Sequence, residues 1–159
     1  MKALCSILFL CLPLFLFSQF SSPKTIFRGI GEKSDIHIAD LDGNGHPDIA
    51  ATAEWGMIWY RHIDGNGNFE KRQIIDNSSF NSLHLEDLDS DGDMDVIAAL
   101  DNVQGGIADS QRVVWYANDG HGFFSGRQTI ATTRNFAGYG PDVKVLDVDN
   151  DNDPDVLFT

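Results

Sequence analysis

Three short segments of this 159-residue chain carry acidic side chains at alternate positions. Each segment is nine residues long, and aspartate stands at positions 1, 3 and 9 in all three copies. Alternate side chains of a tight loop point toward one centre, and Ca²⁺ takes six to eight oxygen ligands at about 2.3–2.6 Å. The spacing therefore predicts calcium-binding loops at residues 40–48, 87–95 and 147–155.

The predicted ligands are the side-chain oxygens at positions 1, 3, 5 and 9 and the main-chain carbonyl at position 7. Position 6 is Gly45, Gly92 or Asn152, because a sharp turn there needs a positive φ, which glycine tolerates best and asparagine next best. We expect two to three Ca²⁺ sites from these three loops. The ligand positions hold Asp40, Asp42, Asn44, His46 and Asp48 in the first loop, Asp87, Asp89, Asp91, Asp93 and Asp95 in the second, and Asp147, Asp149, Asp151, Asp153 and Asp155 in the third.

Other interpretations of these loops fit less well. An EF-hand shares the opening spacing but requires a bidentate glutamate at position 12 and two flanking helices. Position 12 is Ala51, Ala98 or Phe158, and the flanking residues are typical of strands, so the EF-hand is rejected. Mg²⁺ is disfavoured because it retains its waters and prefers octahedral geometry. Solvated hairpin turns without an ion are the remaining alternative, but clustered carboxylates repel one another strongly without a cation.

The residues around the loops predict short strands. Before each loop, apolar and polar residues alternate with period two, as in Ile36, His37 and Ile38, which is typical of a strand with one buried face. A tryptophan–tyrosine pair recurs at residues 59–60 and 115–116 and favours packing between sheets over a sugar-stacking platform. Second strands are predicted at 49–53, 96–100 and 156–158, third strands at 57–63 and 113–117, and fourth strands at 69–75 and 124–130.

A four-stranded unit that recurs every 40 to 60 residues or so is typical of a β-propeller blade. We therefore predict an all-β fold at residues 19–159, a partial β-propeller of about two and a half four-stranded antiparallel blades. The repeats occupy about residues 34–80, 81–136 and 137–159, the last being truncated. Since a closed ring needs about four to eight blades, we expect an N-terminal fragment of a longer protein whose remaining blades complete the ring.

The first 18 residues predict a secretory signal peptide. Lys2 is followed by an apolar run from Ala3 to Phe17, shorter than the about 20 residues of a membrane-spanning helix, and then by polar Ser18. Both cysteines, Cys5 and Cys11, fall in this segment, so the mature chain forms neither a disulfide nor a thiolate metal site. We expect a secreted, periplasmic or cell-surface protein with no membrane span in its mature chain.

The charge balance excludes two kinds of partner. The chain has 24 acidic residues against 11 lysines and arginines, a formal net charge of −13, so nucleic acids and anionic membranes repel it. No Gly-x-Ser-x-Gly elbow, His-Glu-x-x-His sequence or phosphate loop is present. We therefore expect no catalytic residues and no enzyme activity in this chain.

The turns between the predicted strands resemble a known repeat. The acidic loop, followed by the Asp-Gly-x-Gly turn and a phenylalanine at residues 64–69 and 119–124, resembles the FG-GAP/VCBS-type repeat, the blade of integrin α-subunit-like propellers. The resemblance covers about residues 25–159 and implies a calcium-stabilised propeller of exported or cell-surface proteins. Such propellers serve adhesion or ligand recognition, and the ligand positions above are the ones the resemblance implies. The sequence departs from the family pattern at Asn44, Asn152, Pro47 and Pro154.

Two functions are compatible with these features. The one we favour is an exported calcium-binding module for protein or glycan recognition and adhesion, in which calcium is structural. The alternative is the propeller portion of a secreted carbohydrate-active enzyme, a lyase or hydrolase, with catalytic residues mostly beyond Thr159. A glycosidase needs a pair of carboxyl groups. Outside the acidic loops, the candidates are Glu54, Asp101 and Asp109, none with an evident partner in the sequence.

Overall fold

A computed structural model describes residues 23–26, 31, 34–70, 73–100, 110–134 and 141–159 of the chain. The predicted signal peptide at residues 1–18 lies outside this part. Where the structure describes the chain, it contains no helix that is long and apolar enough to cross a membrane.

The described residues form ten β-strands and no helix, which confirms the all-β prediction. The strands are β1 (Ile36–Ala39), β2 (Asp48–Ala53), β3 (Gly56–Tyr60), β4 (Gln73–Asp76), β5 (Phe80–Glu86), β6 (Asp95–Leu100), β7 (Ser110–Tyr116), β8 (Gln128–Arg134), β9 (Val143–Leu146) and β10 (Asp155–Phe158). They form three antiparallel sheets with the orders β1-β2-β3-β4, β5-β6-β7-β8 and β9-β10. The first two sheets are propeller-type blades of four strands, and the third has the first two strands of such a blade.

Each acidic loop closes the hairpin between the first two strands of its sheet. The last residue of the first strand pairs with the position 9 aspartate in all three hairpins: Ala39 with Asp48, Glu86 with Asp95, and Leu146 with Asp155. Because the register is the same each time, equivalent loop side chains are presented in the same way on each sheet.

The fourth strands begin later than the sequence predicted. Alternation predicts strands that start at Phe69 and Phe124, but these residues form only isolated bridges, with His62 and Asn118 respectively. The glycine-rich turn first closes a narrow hairpin, in which the N–H of Glu70 donates to the carbonyl of residue 61 at 2.8 Å. The regular ladder then resumes only in β4 and β8, so the prediction of 69–75 and 124–130 was wrong in its bounds.

The apolar core lies between neighbouring sheets. Leu83 on β5 is fully buried and packs in one cluster with Met57 of the first sheet. Val143 and Val145 on β9 pack in the same way against Ile97 of the second sheet. The first strand of one sheet therefore covers the face of the preceding sheet, which is how propeller blades stack side by side.

A side-chain oxygen also joins each first strand to the next one. Asp35 Oδ2 accepts a hydrogen bond from the backbone N–H of Leu83 at 3.1 Å. Ser82, the residue equivalent to Asp35, accepts one through Oγ from the backbone N–H of Val143 at 2.9 Å. We call this contact the inter-strand link, and it occurs in equivalent form between the first and second sheets and between the second and third.

Two of the four recurrent aromatic residues, Trp59 and Tyr116, pack between the sheets, as the sequence predicted for them. Trp59 is 2% exposed, and its ring meets Phe124 of the second sheet edge-on, with 6.0 Å between ring centroids. Gly122, whose φ is +78°, approaches the Trp59 ring so closely that a Cβ there would overlap it. Tyr116 is also 2% exposed. Trp59 and Tyr116 therefore stabilise the contact between sheets and form no open platform.

Tyr116→Phe should destabilise this contact between the first two sheets. The Tyr116 hydroxyl donates a hydrogen bond to Asp76 on β4 at 2.7 Å, and burial raises the pKa of Tyr116, so the hydroxyl stays protonated. A hydrogen bond to a charged group contributes about 1.5–3 kcal/mol, so the free energy of unfolding should fall by about that amount at pH 7. Urea unfolding of both proteins measures the difference.

The pKa of Asp76 determines how the stability difference between wild type and Tyr116→Phe depends on pH. Burial opposes the ionisation of Asp76, but hydrogen bonds from Tyr116 and Ser78 outweigh it and lower the pKa of Asp76. A carboxyl group with a lowered pKa stabilises the folded state above its unfolded pKa of about 3.9, and this contribution is lost as pH falls through the folded value. The difference between wild type and Tyr116→Phe should therefore shrink below about pH 4. An equal difference at pH 7 and in acid would contradict this assignment.

Candidate metal centre

The aspartate at position 1 organises each acidic loop through the backbone. Its Oδ1 accepts a hydrogen bond from the N–H of position 5, and its Oδ2 accepts one from the N–H of position 6. The Oδ1 distances are 3.1, 3.1 and 3.2 Å for Asp40, Asp87 and Asp147, and the Oδ2 distances are 2.7, 2.9 and 3.0 Å. Short aspartate side chains favour such local turns, so the three loops fold in the same way.

The backbone follows the same left-handed path in all three loops. At position 6, φ is +82° for Gly45, +97° for Gly92 and +73° for Asn152, which confirms the predicted positive φ. Asparagine tolerates this conformation better than most residues, so its presence in the third loop does not change the turn. Position 4 is left-handed as well, a feature that its residue types did not indicate: Gly43 at +68°, Ser90 at +62° and Asn150 at +64°.

The carboxylates at positions 1, 3 and 9 converge in every loop. One oxygen of each aspartate lies within 4.8 Å of an oxygen of each of the other two. Two ligands of one Ca²⁺ ion, each at about 2.3–2.6 Å, are at most about 5 Å apart, so this spacing fits one ion per loop. The three clusters are Asp40, Asp42 and Asp48; Asp87, Asp89 and Asp95; and Asp147, Asp149 and Asp155.

The aspartate at position 9 also hydrogen-bonds to the backbone of residues that follow the third strand of its sheet. Asp48 accepts hydrogen bonds from the backbone N–H groups of Leu41 and His62, at 3.0 and 2.6 Å. Asp95 repeats both contacts, with position 2 of its own loop at 3.1 Å and with Asn118 at 2.8 Å. The first hairpin of the sheet is thereby joined to the residues that follow the third strand, a structural role that the sequence did not reveal.

Burial raises the pKa of both Asp48 and Asp95, and the backbone hydrogen bonds act in the opposite direction. Both residues are fully buried. Removing a carboxylate from water is costly unless an opposite charge compensates it, so a cation at the cluster would stabilise the ionised form. Among the described residues, Asp155 has only the first of the two contacts, with the N–H of Val148 at 3.0 Å.

Positions 5 and 7 lie next to each other in each loop. The side-chain oxygen of position 5 accepts a hydrogen bond from the N–H of position 7, at 2.8 Å for Asn44, 3.0 Å for Asp91 and 2.9 Å for Asp151. The converging carboxylates are those of positions 1, 3 and 9, and the position 5 aspartates Asp91 and Asp151 are not among them. The role of position 5 as a ligand stays a prediction, as does that of the position 7 carbonyls of His46, Asp93 and Asp153.

One basic side chain contacts the first loop, and the spacing of the loop residues did not indicate it. Arg61 follows β3, and its Nε forms an ion pair with Oδ2 of Asp42, whose side chain is only 5% exposed. Its Nη1 lies 3.4 Å from Oε1 of Glu70. The available signal was the alignment of the repeats, because Arg61 follows the tryptophan–tyrosine pair where the second repeat has Ala117.

The remaining candidates lie apart from the acidic loops. His37 and His84 meet edge-on across β1 and β5, with 5.2 Å between ring centroids. Burial lowers the pKa of His84, with a further contribution from His37. Glu54 is exposed between β2 and β3, and residues 101 and 109 lie outside the part of the chain that is described.

The fold and the loops together define a class: a propeller-type repeat protein whose first hairpin in each sheet carries a cluster of carboxylates able to hold a metal ion. The model for the FG-GAP-like repeat matches residues 40–98 and 87–158, and each match spans two consecutive acidic loops. The chain belongs to the FG-GAP-like repeat family, which confirms the resemblance seen in the sequence. No curated protein sequence matches the chain significantly.

Proposed function

We propose that this chain is an exported calcium-binding β-propeller module for recognition of a protein or a glycan, with calcium in a structural role. The observation that carries the proposal is the threefold recurrence of a three-carboxylate cluster on one backbone path. An ion in such a loop links positions 1 and 3 to the position 9 aspartate, which in the first two sheets also contacts the residues after the third strand. Calcium would thereby rigidify each sheet.

The chemistry of the donor set supports calcium. All predicted ligands are oxygens, which suit Ca²⁺ and Mg²⁺ better than transition metals. Mg²⁺ usually keeps several waters and uses one or two carboxylates, whereas each cluster here offers three. Ca²⁺ accepts many ligands in flexible geometry, so a loop with three aspartates and nearby carbonyls favours Ca²⁺.

A cleft between the first two sheets supports a recognition role. It measures about 340 Å³ and is lined by the planar polar side chains of Arg61 and Gln73, with the buried Trp59 beneath them. Phe123, which also lines the cleft, is 74% exposed. Aromatic rings beside planar polar groups suit contacts with proteins and with sugars. The first acidic loop lines the same cleft through Asp42, so the order of that loop affects the shape of the cleft.

An uncovered face of β1 supports further sheets of the same repeat as partners. Ile36 and Ile38 are 47% and 66% exposed. Their repeat equivalents on β9, Val143 and Val145, are only 0% and 5% exposed, because they pack on the preceding sheet. We therefore propose that an additional blade of a longer chain covers β1 in the same way.

The charge and the type of metal site agree with an exported binding protein. The net charge of −13 disfavours nucleic acids as partners. Calcium sites of extracellular modules bind with dissociation constants of about 10⁻⁴–10⁻³ M, which calcium outside the cell saturates and cytosolic calcium does not. We accordingly propose a secreted, periplasmic or cell-surface location and a binding role in preference to catalysis.

Isothermal titration calorimetry of the chelator-treated protein with CaCl₂ tests the proposed function. We expect Ca²⁺ to bind to at least two of the three clusters, and Mg²⁺ to bind more weakly. Asp149→Asn, in the third cluster, should remove one of the bound ions. Asp142→Asn is the matched control, because this carboxylate lies outside the loops and its side chain is 57% exposed. A protein that takes up no Ca²⁺ at millimolar concentration would disprove the proposal.

A further inference from the structure

The positively charged guanidinium group of Arg61 lies at the first acidic loop. The guanidinium contacts Asp42, one of the three converging carboxylates of that loop, and also lies near Glu70. The Asp42 side chain is 5% exposed and the Arg61 side chain 37%, so the carboxylate is shielded from solvent while the guanidinium is partly in water. The first loop therefore already contains a positive charge at a position predicted to bind a metal.

Asn44 adds a second contact of the same loop with the residues after β3. Its Nδ2 donates a hydrogen bond to the carbonyl of His62 at 3.0 Å, and its Oδ1 accepts one from the N–H of His46 at 2.8 Å. A carboxylate at this position could accept but could not donate. The amide thus replaces a charge in the loop with a hydrogen bond to the neighbouring hairpin.

Among the described residues, the second loop has neither feature, and the third loop also has an aspartate in place of Asn44. Position 5 is Asp91 or Asp151 there, and the residue equivalent to Arg61 in the second sheet is Ala117. In the parts of the chain that are described, no lysine or arginine forms an ion pair with either loop. Each of these two loops has five aspartates, whereas the first loop has three and an arginine beside them.

We infer that Arg61, assisted by Asn44, is an internal counter-ion that holds the first loop in its folded form without a metal, so that the second and third loops are the main calcium sites. This inference rests on the proposed function, and it names Arg61 and Asn44 as the residues that lower the calcium affinity of the first loop. A Ca²⁺ ion at the first loop must share Asp42 with Arg61 or displace it, and the two positive charges repel each other. The second and third loops take up an ion without that competition.

Two reciprocal variants of the full chain test the inference, with Ca²⁺ alone as the probe. Arg61→Met keeps a long apolar side chain but removes the charge, and Ala117→Arg introduces an arginine at the equivalent position of the second sheet. Each variant is titrated calorimetrically after chelation, and its thermal midpoint is measured in chelator and in excess calcium. Arg61→Lys, which retains the charge, is the control for the loss of a side chain.

Wild type should show two tighter ions and a weaker third site. Arg61→Met should tighten the weak site by about tenfold or more, and its thermal midpoint should fall in chelator and recover in calcium. Ala117→Arg should weaken one of the tight sites and lower the calcium-dependent rise in the midpoint, a result that holds even if Arg61→Met folds poorly. Three equal sites in wild type, unchanged by both variants, would overturn the inference and leave the proposed function intact. No calcium binding by wild type would overturn both.

Discussion

Asp95→Ala should lower the free energy of unfolding by about 2–4 kcal/mol even when no calcium is present. The Asp95 carboxylate is fully buried and accepts hydrogen bonds from the backbone N–H groups of Leu88 and Asn118, at 3.1 and 2.8 Å. Alanine leaves both donors without their acceptor: the unsatisfied buried N–H of Asn118 costs about 1–3 kcal/mol, and loss of the part-buried hydrogen bond from Leu88 costs about 1 kcal/mol more. Since Asp95 joins the acidic loop to the residues after β7, the loss affects the whole second sheet.

Urea unfolding in the presence of chelator measures this effect without any contribution from metal binding. Asp155→Ala is the matched control, because Asp155 has the same position in the third loop but only the contact with the N–H of Val148 among the described residues. Its substitution should cost about half as much or less. Equal losses for the two variants would show that the contact of Asp95 with Asn118 contributes little to stability.

In contrast to Asp95→Ala, Asp89→Ala should lower the thermal midpoint only slightly in chelator but strongly in calcium. Asp89 is exposed, and it belongs to the second cluster with Asp87 and Asp95. A ligand at 100 times its dissociation constant stabilises a protein by about 2.7 kcal/mol per site, which corresponds to about 5–10 °C in the thermal midpoint for a chain of this size. The Asp89→Ala substitution should remove most of the second loop's contribution to the calcium-dependent rise in the thermal midpoint.

Thermal unfolding with chelator and with excess calcium distinguishes the two kinds of aspartate. Asp142→Asn should keep the full calcium-dependent rise, since its carboxylate lies outside the clusters. If Asp89→Ala retains the wild-type rise, the second cluster is not a calcium site. If Asp89→Ala instead loses stability in chelator as strongly as Asp95→Ala, the role of its carboxylate is packing and not metal binding.

The loops could be predicted from the sequence because everything that shapes them is local. Position 1 hydrogen-bonds to backbone groups four and five residues later, and the left-handed turn at position 6 follows from the conformational freedom of its residue. The alternation before each loop gave the first strands, and the recurrent Trp59 gave a buried contact between sheets. The loops and the first strands depend on residues close together in the chain, whereas the burial of Trp59 followed from its recurrence in the second repeat.

Features that depend on distant residues were not predictable in the same way. Asp48 meets the backbone of His62, and Arg61 meets Asp42, only after the third strand has folded back beside the first hairpin. The sequence showed an aspartate and an arginine but not their proximity. The fourth strands were misplaced for a related reason, because isolated bridges at Phe69 and Phe124 look like the start of a strand although the ladder resumes later.

The inter-strand link bears on how such a chain can lengthen by duplication. One partner, Asp35 or Ser82, supplies a side-chain oxygen, but the other is a main-chain N–H, which every residue except proline possesses. The hydrogen bond of a newly copied unit to its neighbour therefore needs one side-chain oxygen only, and it persists when Leu83 or Val143 is exchanged for another apolar residue. The exposed positions of the first strands can diverge while this attachment and the apolar buried face are retained.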